Sequence, residues 1–305
     1  MKIAAASLFR CPFCIQPLTA EGGALNGKIE VGAFVCRCGK YFAIEEGLPV
    51  FLRLEELEAG DKEMYEQNIT HSAGYDVWID WLFSAFGEDK EHVREAMIDL
   101  LELQPGNTVL EIGAGTGEDS LHIAKRIAPD GQLYAQDISP HMLAIARAKL
   151  KDAECPVTLF CSNGSELPFA DDTFDAVFHF GAINTYADKA KGINEMNRVA
   201  KPGAKVVFGD ESVPPWLRET RFGRILRLHN PLYEYQPPLE LLPPTAREVV
   251  MRWILGNAFY LIDYRVSRDP LTLEVDLKIP FKGDTMRSRT LIDPSLPLPD
   301  ASMAD

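Results

Sequence analysis

Three groups of residues in this chain have types and spacings that could do chemistry. In the first, Val109-Leu110-Glu111-Ile112-Gly113-Ala114-Gly115-Thr116-Gly117 reads as a strand entering a glycine-rich turn, with Asp137 closing the next strand. Glycines let the backbone approach a ligand closely, and a carboxylate placed there can accept from both hydroxyls of a ribose. Nucleoside binding is the chemistry implied. A dinucleotide fingerprint has its third small residue where this chain has Glu118, followed by Asp119. Pyrophosphate prefers a helix N-terminus free of anions, whereas two carboxylates tolerate a cofactor carrying an amine and a sulfonium. The turn therefore points to S-adenosylmethionine and away from NAD.

The second group is Cys11-Pro12-Phe13-Cys14 with Cys36-Arg37-Cys38-Gly39, four of the six cysteines. In a reducing compartment such pairs are more often metal ligands than disulfides, and a hairpin that joins them completes a tetrahedral thiolate shell. A closed four-sulfur site has no open position for substrate, so the expectation is structural Zn2+ held by Cys11, Cys14, Cys36 and Cys38. Cys155 and Cys161 read as small buried residues. The third group is His179, Asp210 and Glu211. Methyl transfer from a sulfonium is a direct displacement that needs mainly positioning. If the acceptor is a phenol or a carbon acid, His179 at a strand end is the first candidate base, with Asp210 and Glu211 next.

The elements that must position these groups follow from periodicity. Strands over 108–112, 132–136, 157–161, 174–180 and 204–209 alternate with helices over 118–128, 140–150 and 188–200, the pattern of a doubly wound, mainly parallel sheet. Upstream, 53–103 reads as helical, with Val77, Trp78, Trp81, Leu82 and Phe86 expected on one packed face and a second helix from Lys90 to Glu102. Downstream, Thr245-Ala246-Arg247-Glu248 has the form of a capping box opening a helix. Phe259–Ser267 and Thr272–Pro280 read as a closing hairpin around Arg268-Asp269-Pro270-Leu271. The division expected is 1–52 for the cysteine-bearing module, 53–103 for a helical lid, 104–281 for the nucleoside-binding domain and 282–305 for a tail. Residues 212–257 form a helical and proline-rich insertion over the acceptor site.

VLEIGAGTG with Asp137 in YAQDIS resembles the first two motifs of class I S-adenosylmethionine-dependent methyltransferases. The segment Ser162-Asn163-Gly164-Ser165-Glu166-Leu167-Pro168-Phe169 resembles that superfamily's "GDAEDLPF". His179-Phe180-Gly181-Ala182-Ile183-Asn184 leading to Asn197-Arg198-Val199-Ala200-Lys201-Pro202-Gly203 is similar to the ubiquinone and menaquinone biosynthesis C-methyltransferase branch, whose FG-x-x-N element precedes "RVLKPGG". The resemblance implies a Rossmann-like sheet with an antiparallel last strand. It also implies a cofactor site of Glu111, Gly113, Ala114, Gly115, Gly117, Asp137, Asn163, Gly164 and Phe180, with Ile138 and Met142 against adenine and Tyr75 in a lid "YD" element. Asn163 stands where an aspartate usually meets the adenine amino group. CRCGKYFAIEEGLPVFL is similar to the small zinc-binding activator subunit of tRNA and protein methyltransferases, with one residue between the second cysteines where two are usual.

At 305 residues, net charge −14 and pI near 4.9, the chain has length for a full core and opposes non-specific attraction to polyanions. No apolar run approaches the ~18 residues that span a bilayer, and the first ten residues lack a secretory pattern, so a cytoplasmic enzyme is expected. The leading function is methyl transfer to a small, partly apolar acceptor at carbon, oxygen or nitrogen. An RNA base methyltransferase with a zinc recognition module and a non-catalytic scaffold for another methyltransferase are the alternatives. Arg218, Arg221, Arg224 and Arg227 recur every three residues beside Trp216, Phe222 and Ile225. They suggest a roof over the acceptor that recognises an anionic or lipid-like substrate, with peripheral contact at a membrane surface. A solvated helix face balanced by Glu219 is the competing reading.

Overall fold

Runs such as Thr108–Ile112 and Phe174–Phe180 are buried on both faces, which only a sheet covered on both sides allows. The computed structural model describes residues 1–271 apart from positions 2 and 26. The chain divides into two compact units, Met1–Ser267 and Arg268–Asp305; of the second, the described residues 268–271 have no regular structure.

The first unit begins with helix α1 (Ile3–Ala6) and a four-stranded antiparallel sheet of β1 (Leu18–Leu25), β2 (Lys28–Cys36), β3 (Tyr41–Glu45) and β4 (Leu48–Pro49). Helices α2 (Ala59–His71), α3 (Tyr75–Phe86) and α4 (Lys90–Asp99) follow. Then come β5 (Thr108–Ile112), α5 (Glu118–Ile127), β6 (Gln132–Asp137), α6 (Pro140–Lys149), β7 (Val157–Cys161), β8 (Phe174–Phe180), α7 (Lys189–Val199) and β9 (Ala200–Glu211). Helix α8 (Arg221–His229) and the hairpin of β10 (Arg247–Ile254) and β11 (Phe259–Arg265) complete it. The seven-stranded sheet has the order β10-β11-β9-β8-β5-β6-β7, parallel from β9 to β7, with β11 antiparallel to β9. The expected alternation and antiparallel closing strand are both present. Ser139 caps α6 through its hydroxyl, with Pro140 in the first turn.

The first sheet is welded to the second by aromatic rings. Phe9 packs at 5.1–5.8 Å from the rings of Phe34, Phe51, Tyr134, Phe160 and Phe169, so the two sheets share one core. Val50 bridges Cys161 in parallel, and the Phe51 amide donates to the Cys161 carbonyl (2.7 Å). This contact covers the edge that β7 would otherwise present. Cys155 and Cys161 are buried, as expected.

Three expectations are corrected. The segment opening at Thr245 is strand β10, not a helix. Glu248 takes φ 50° where the register slips, and its carboxylate accepts from Arg265 Nε (2.9 Å), so tertiary pairing overrides a local cap signal. The closing hairpin is accordingly β10–β11, turning through Leu255, Gly256 and Asn257, all at positive φ; the expected partner strand over 272–280 lies outside the described residues. Finally, α3 buries Ile79, Leu82 and Phe83 and leaves Val77 and Trp81 exposed. Its apolar residues surround more than one face, and of the expected one only Leu82 and Phe86 pack on the core.

Candidate active site and metal centre

The glycine turn leaves β5 at the carboxyl edge of the sheet, where ligands of such folds bind. Gly113, Gly115 and Gly117 all have positive φ (69°, 53° and 84°), so the left-handed backbone itself requires glycine. At Gly117 a Cβ would also lie 3.1 Å from Leu150 Cδ1 and 3.2 Å from Ala146 Cβ, so this glycine serves helix packing. Four of the turn's five amides are engaged from within the protein. Gly113 donates to Gln136 Oε1 (3.1 Å), Ala114 to the Gln136 carbonyl (2.8 Å), Gly115 to Asp137 Oδ2 (2.8 Å) and Gly117 to the Ala114 carbonyl (2.8 Å). A pyrophosphate would need these donors. Glu118 and Asp119, which the sequence suggests repel phosphate by charge, are paired. Against burial, which would raise it, Lys149 and Lys90 hold the Glu118 pKa down to about 2, and Arg94 lies 2.5 Å from Asp119. The bar to a dinucleotide thus lies in occupied donors more than in free negative charge.

A cavity of about 660 Å³ opens beside this turn. Of the sequence-derived cofactor residues, Tyr75, Gly113, Ala114, Gly115, Asp137, Ile138, Met142, Asn163, Gly164 and Phe180 line it. Glu111 and Gly117 stand behind it. Glu111 is buried against the Ser120 hydroxyl, and burial with the Asp119 charge pushes its pKa up to about 8. Asp137 is also buried, and its pKa rises to about 6 although Ser139, Gly115 and Ile138 amides favour its charged form. Its oxygens accept from Gly115 N and Ser139 N (both 2.8 Å), which leaves a lone pair on each for a ribose hydroxyl.

The three candidate bases separate. His179 is fully buried beneath the turn, with Nδ1 donating to the Ile112 carbonyl (2.9 Å) and its ring 5.4 Å from that of Tyr186. It does not line the cavity, and burial lowers its pKa. Asp210 accepts from the amides of Asn184 (2.6 Å) and Glu211 (2.9 Å), likewise off the cavity wall. Glu211 alone of the three faces the cavity. Its Oε2 is buried without a hydrogen-bond partner, and burial followed by the Asp210 charge pushes its pKa well above the usual carboxylate range.

Sequence reasoning missed Asp61, Gln136 and the Asp76–Lys149 link. Asp61 lines the cavity and bonds Asn163; Gln136 props the turn; Thr116 Oγ1 donates to Asp76 (2.5 Å), fastening α3 to the turn. None belongs to a short contiguous motif, so spacing carries no signal for them. The arginines expected as a roof do not line the cavity. Arg218 pairs with Glu234 (2.5 Å), Arg224 with Glu219 (3.1 Å) and Arg227 with both, and Arg221 is exposed. The insertion reaches the cavity instead through Asn230, Leu232 and Leu255.

The four cysteine sulfurs of the N-terminal sheet gather within 4.8 Å of one another, with Cys11–Cys38 at 3.7 Å and Cys14–Cys36 at 3.5 Å. These separations fit the edges of a tetrahedron about 3.8 Å long that follows from Zn–S bonds of about 2.3 Å. They are too long for disulfides. Burial pushes the Cys11 thiol up to about 12, while the Lys40 amide helps bring Cys38 down to about 7. The C-x-C pair thus joins the C-x-x-C pair in one compact cluster.

Residues 62–217 match the model of the ubiE/COQ5 methyltransferase family. The chain belongs to that family. Demethylmenaquinone methyltransferase of Listeria welshimeri is 36% identical over 128 residues, 41% of this chain and 54% of the relative. Ubiquinone/menaquinone biosynthesis C-methyltransferase UbiE of Bordetella avium is 32% identical over 198 residues, 64% of this chain and 71% of the relative. The chain spans about half the length of the Listeria protein and its like. A solved S-adenosylmethionine-dependent methyltransferase from Aquifex aeolicus is 22% identical, covering 57% of this chain and 89% of its own at TM-score 0.42. Among the described residues no helix is long and apolar enough to cross a membrane.

Proposed function

We propose that this protein transfers the methyl group of S-adenosylmethionine to a ring carbon of a neutral, hydroxylated aromatic acceptor of quinone type. One observation carries the reading. The cavity is continuous from Asp137 and Met142, past the glycine turn, to a wall of Tyr75, Trp78, Phe83, Phe180 and Phe259 that also bears Glu211. Arg94 is the one cation among its described lining residues, and Asp119 already neutralises it. Such a wall suits a flat apolar ring and offers nothing to an anion.

When bound, S-adenosylmethionine supplies an electrophilic methyl group on a positively charged sulfur. Asp137 would hold the ribose, Gly113 and Gly115 would leave room beside the turn, and the aromatic wall would orient the acceptor ring. The ionised carboxylate of Glu211 accepts the acceptor hydroxyl proton, which pushes electron density onto the ring carbon that forms the new bond. The sulfur–methyl bond would break with its electron pair left on sulfur, and the proton on the methylated ring carbon would pass to the acceptor oxygen as the ring regains aromaticity, so that one proton, the one taken by Glu211, leaves overall. The four thiolates would hold Zn2+ as a structural ion, since a shell of four thiolates leaves no open position.

The test is a methylation assay with a hydroquinone acceptor, read by mass spectrometry. We expect a product heavier by one methylene unit, and Glu211→Gln lowering kcat by about 10²-fold or more with donor affinity unchanged. The wild-type rate should rise with pH as the Glu211 proton is lost. Donor binding without any carbon-methylated product, or full activity of the variant, rejects this assignment.

A further inference from the structure

The part of the cavity beyond Asp137 is lined by Ile138, Met142, Asn163 and Gly164, and by Asp61 from the first turn of α2. Two apolar side chains and a glycine form a slot that suits a flat base, and Asn163 and Asp61 supply polar groups to the same stretch of wall. Asn163 is turned inward. Its Oδ1 accepts from the Ser165 amide two residues on (2.9 Å), and its Nδ2 donates to Asp61 Oδ2 (2.8 Å). Flipping that amide would set a donor against the Ser165 N–H and an oxygen against a carboxylate, so both partners hold it as it is.

Asp61 is the stronger acceptor. It is buried, with Oδ2 bonded to Asn163 and Oδ1 accepting from the Ala187 amide (3.2 Å), so each oxygen keeps a lone pair. The chain beside it is closely packed. A Cβ on the neighbouring Gly60 would lie 3.0 Å from the Thr185 carbonyl, so the start of α2 is pressed against the 183–187 segment.

We propose that Asp61 is the residue that selects adenine, its carboxylate accepting from the exocyclic amino group while Asn163 buttresses it. The inference rests on the donor reading above and adds a specificity determinant supplied by the segment that leaves the N-terminal sheet. A hydrogen bond to the Asp61 side chain in a buried slot separates bases with and without the amino group by about tenfold to hundredfold.

The experiment is calorimetry on the full chain with two ligands, S-adenosylhomocysteine and its 6-deamino analogue, whose purine carries hydrogen in place of the amino group. Wild type should prefer the first by at least tenfold. Asp61→Ala and Asp61→Asn should bring the two within about threefold, mainly by weakening the amino-bearing ligand, and Asn163→Ala should keep most of the preference. Circular dichroism identifies which Asp61 variant is folded, and Asn163→Ala reports on the slot independently. A preference that survives loss of Asp61, or one that vanishes only with Asn163, overturns the proposal. Wild type that binds neither ligand rejects the donor site itself, and the proposal with it.

Discussion

Asp137→Asn separates the affinity of the donor site from its stability. Removal from water holds the Asp137 pKa at about 6, against about 3.9 in an unfolded chain. At 1.36 kcal/mol for each pH unit, that gap is worth about 3 kcal/mol. The native state binds this proton more tightly than the unfolded state, so the stabilisation is fully present below about pH 4. It is lost as the pH rises through about 6. Above that pH the ligand-free protein carries a buried charge whose unused lone pairs suit two ribose hydroxyls. The asparagine variant has no such charge but turns an amide N–H₂ against either Gly115 N or Ser139 N, at a cost of about 1–3 kcal/mol. The two effects nearly cancel, so at pH 8 the variant should be within about 2 kcal/mol of wild type in urea unfolding. Its stability should also fall less between pH 5 and 7.5. Glu111, whose pKa near 8 comes first from burial and least from the Asp137 charge, shifts only slightly between the two proteins and leaves the difference dominated by position 137. Affinity for S-adenosylhomocysteine should fall about thirtyfold or more. Equal affinity, or equal pH slopes in the two proteins, refutes the argument.

Two further predictions concern regions outside the cavity. Cys36→Ser should reduce bound zinc from about one per chain, measured by atomic emission, and lower the melting temperature by at least about 5 °C. Because Phe9 joins the two sheets in one core, the melt should stay a single transition, and a separate early transition of the N-terminal sheet would contradict that joint core. Arg221→Gln with Arg224→Gln should leave the acceptor KM within about twofold, since neither lines the cavity. A rise of fivefold or more would restore an anionic acceptor to consideration.

The sequence by itself determined the elements whose signals are local. Strand and helix alternation, the glycine turn and the paired cysteines each depend on neighbours a few residues apart, and all are where periodicity and spacing put them. Tertiary structure decided whatever depends on partners distant in the chain. The 245–254 segment became a strand because β11 offered a ladder, and α3 turned Trp81 outward because Ile79, Leu82 and Phe83 filled the core. Which acid faces the cavity was settled in the same way. Asp210 and Glu211 are adjacent on β9 and alternate in direction, so one is absorbed by Asn184 and the other meets the cavity. Asp61 carried no motif at all, and only the fold brings it to Asn163, 102 positions away. Chemistry assembled from distant carboxylates leaves no spacing to read, whereas a turn or a thiolate pair writes its geometry into consecutive residues.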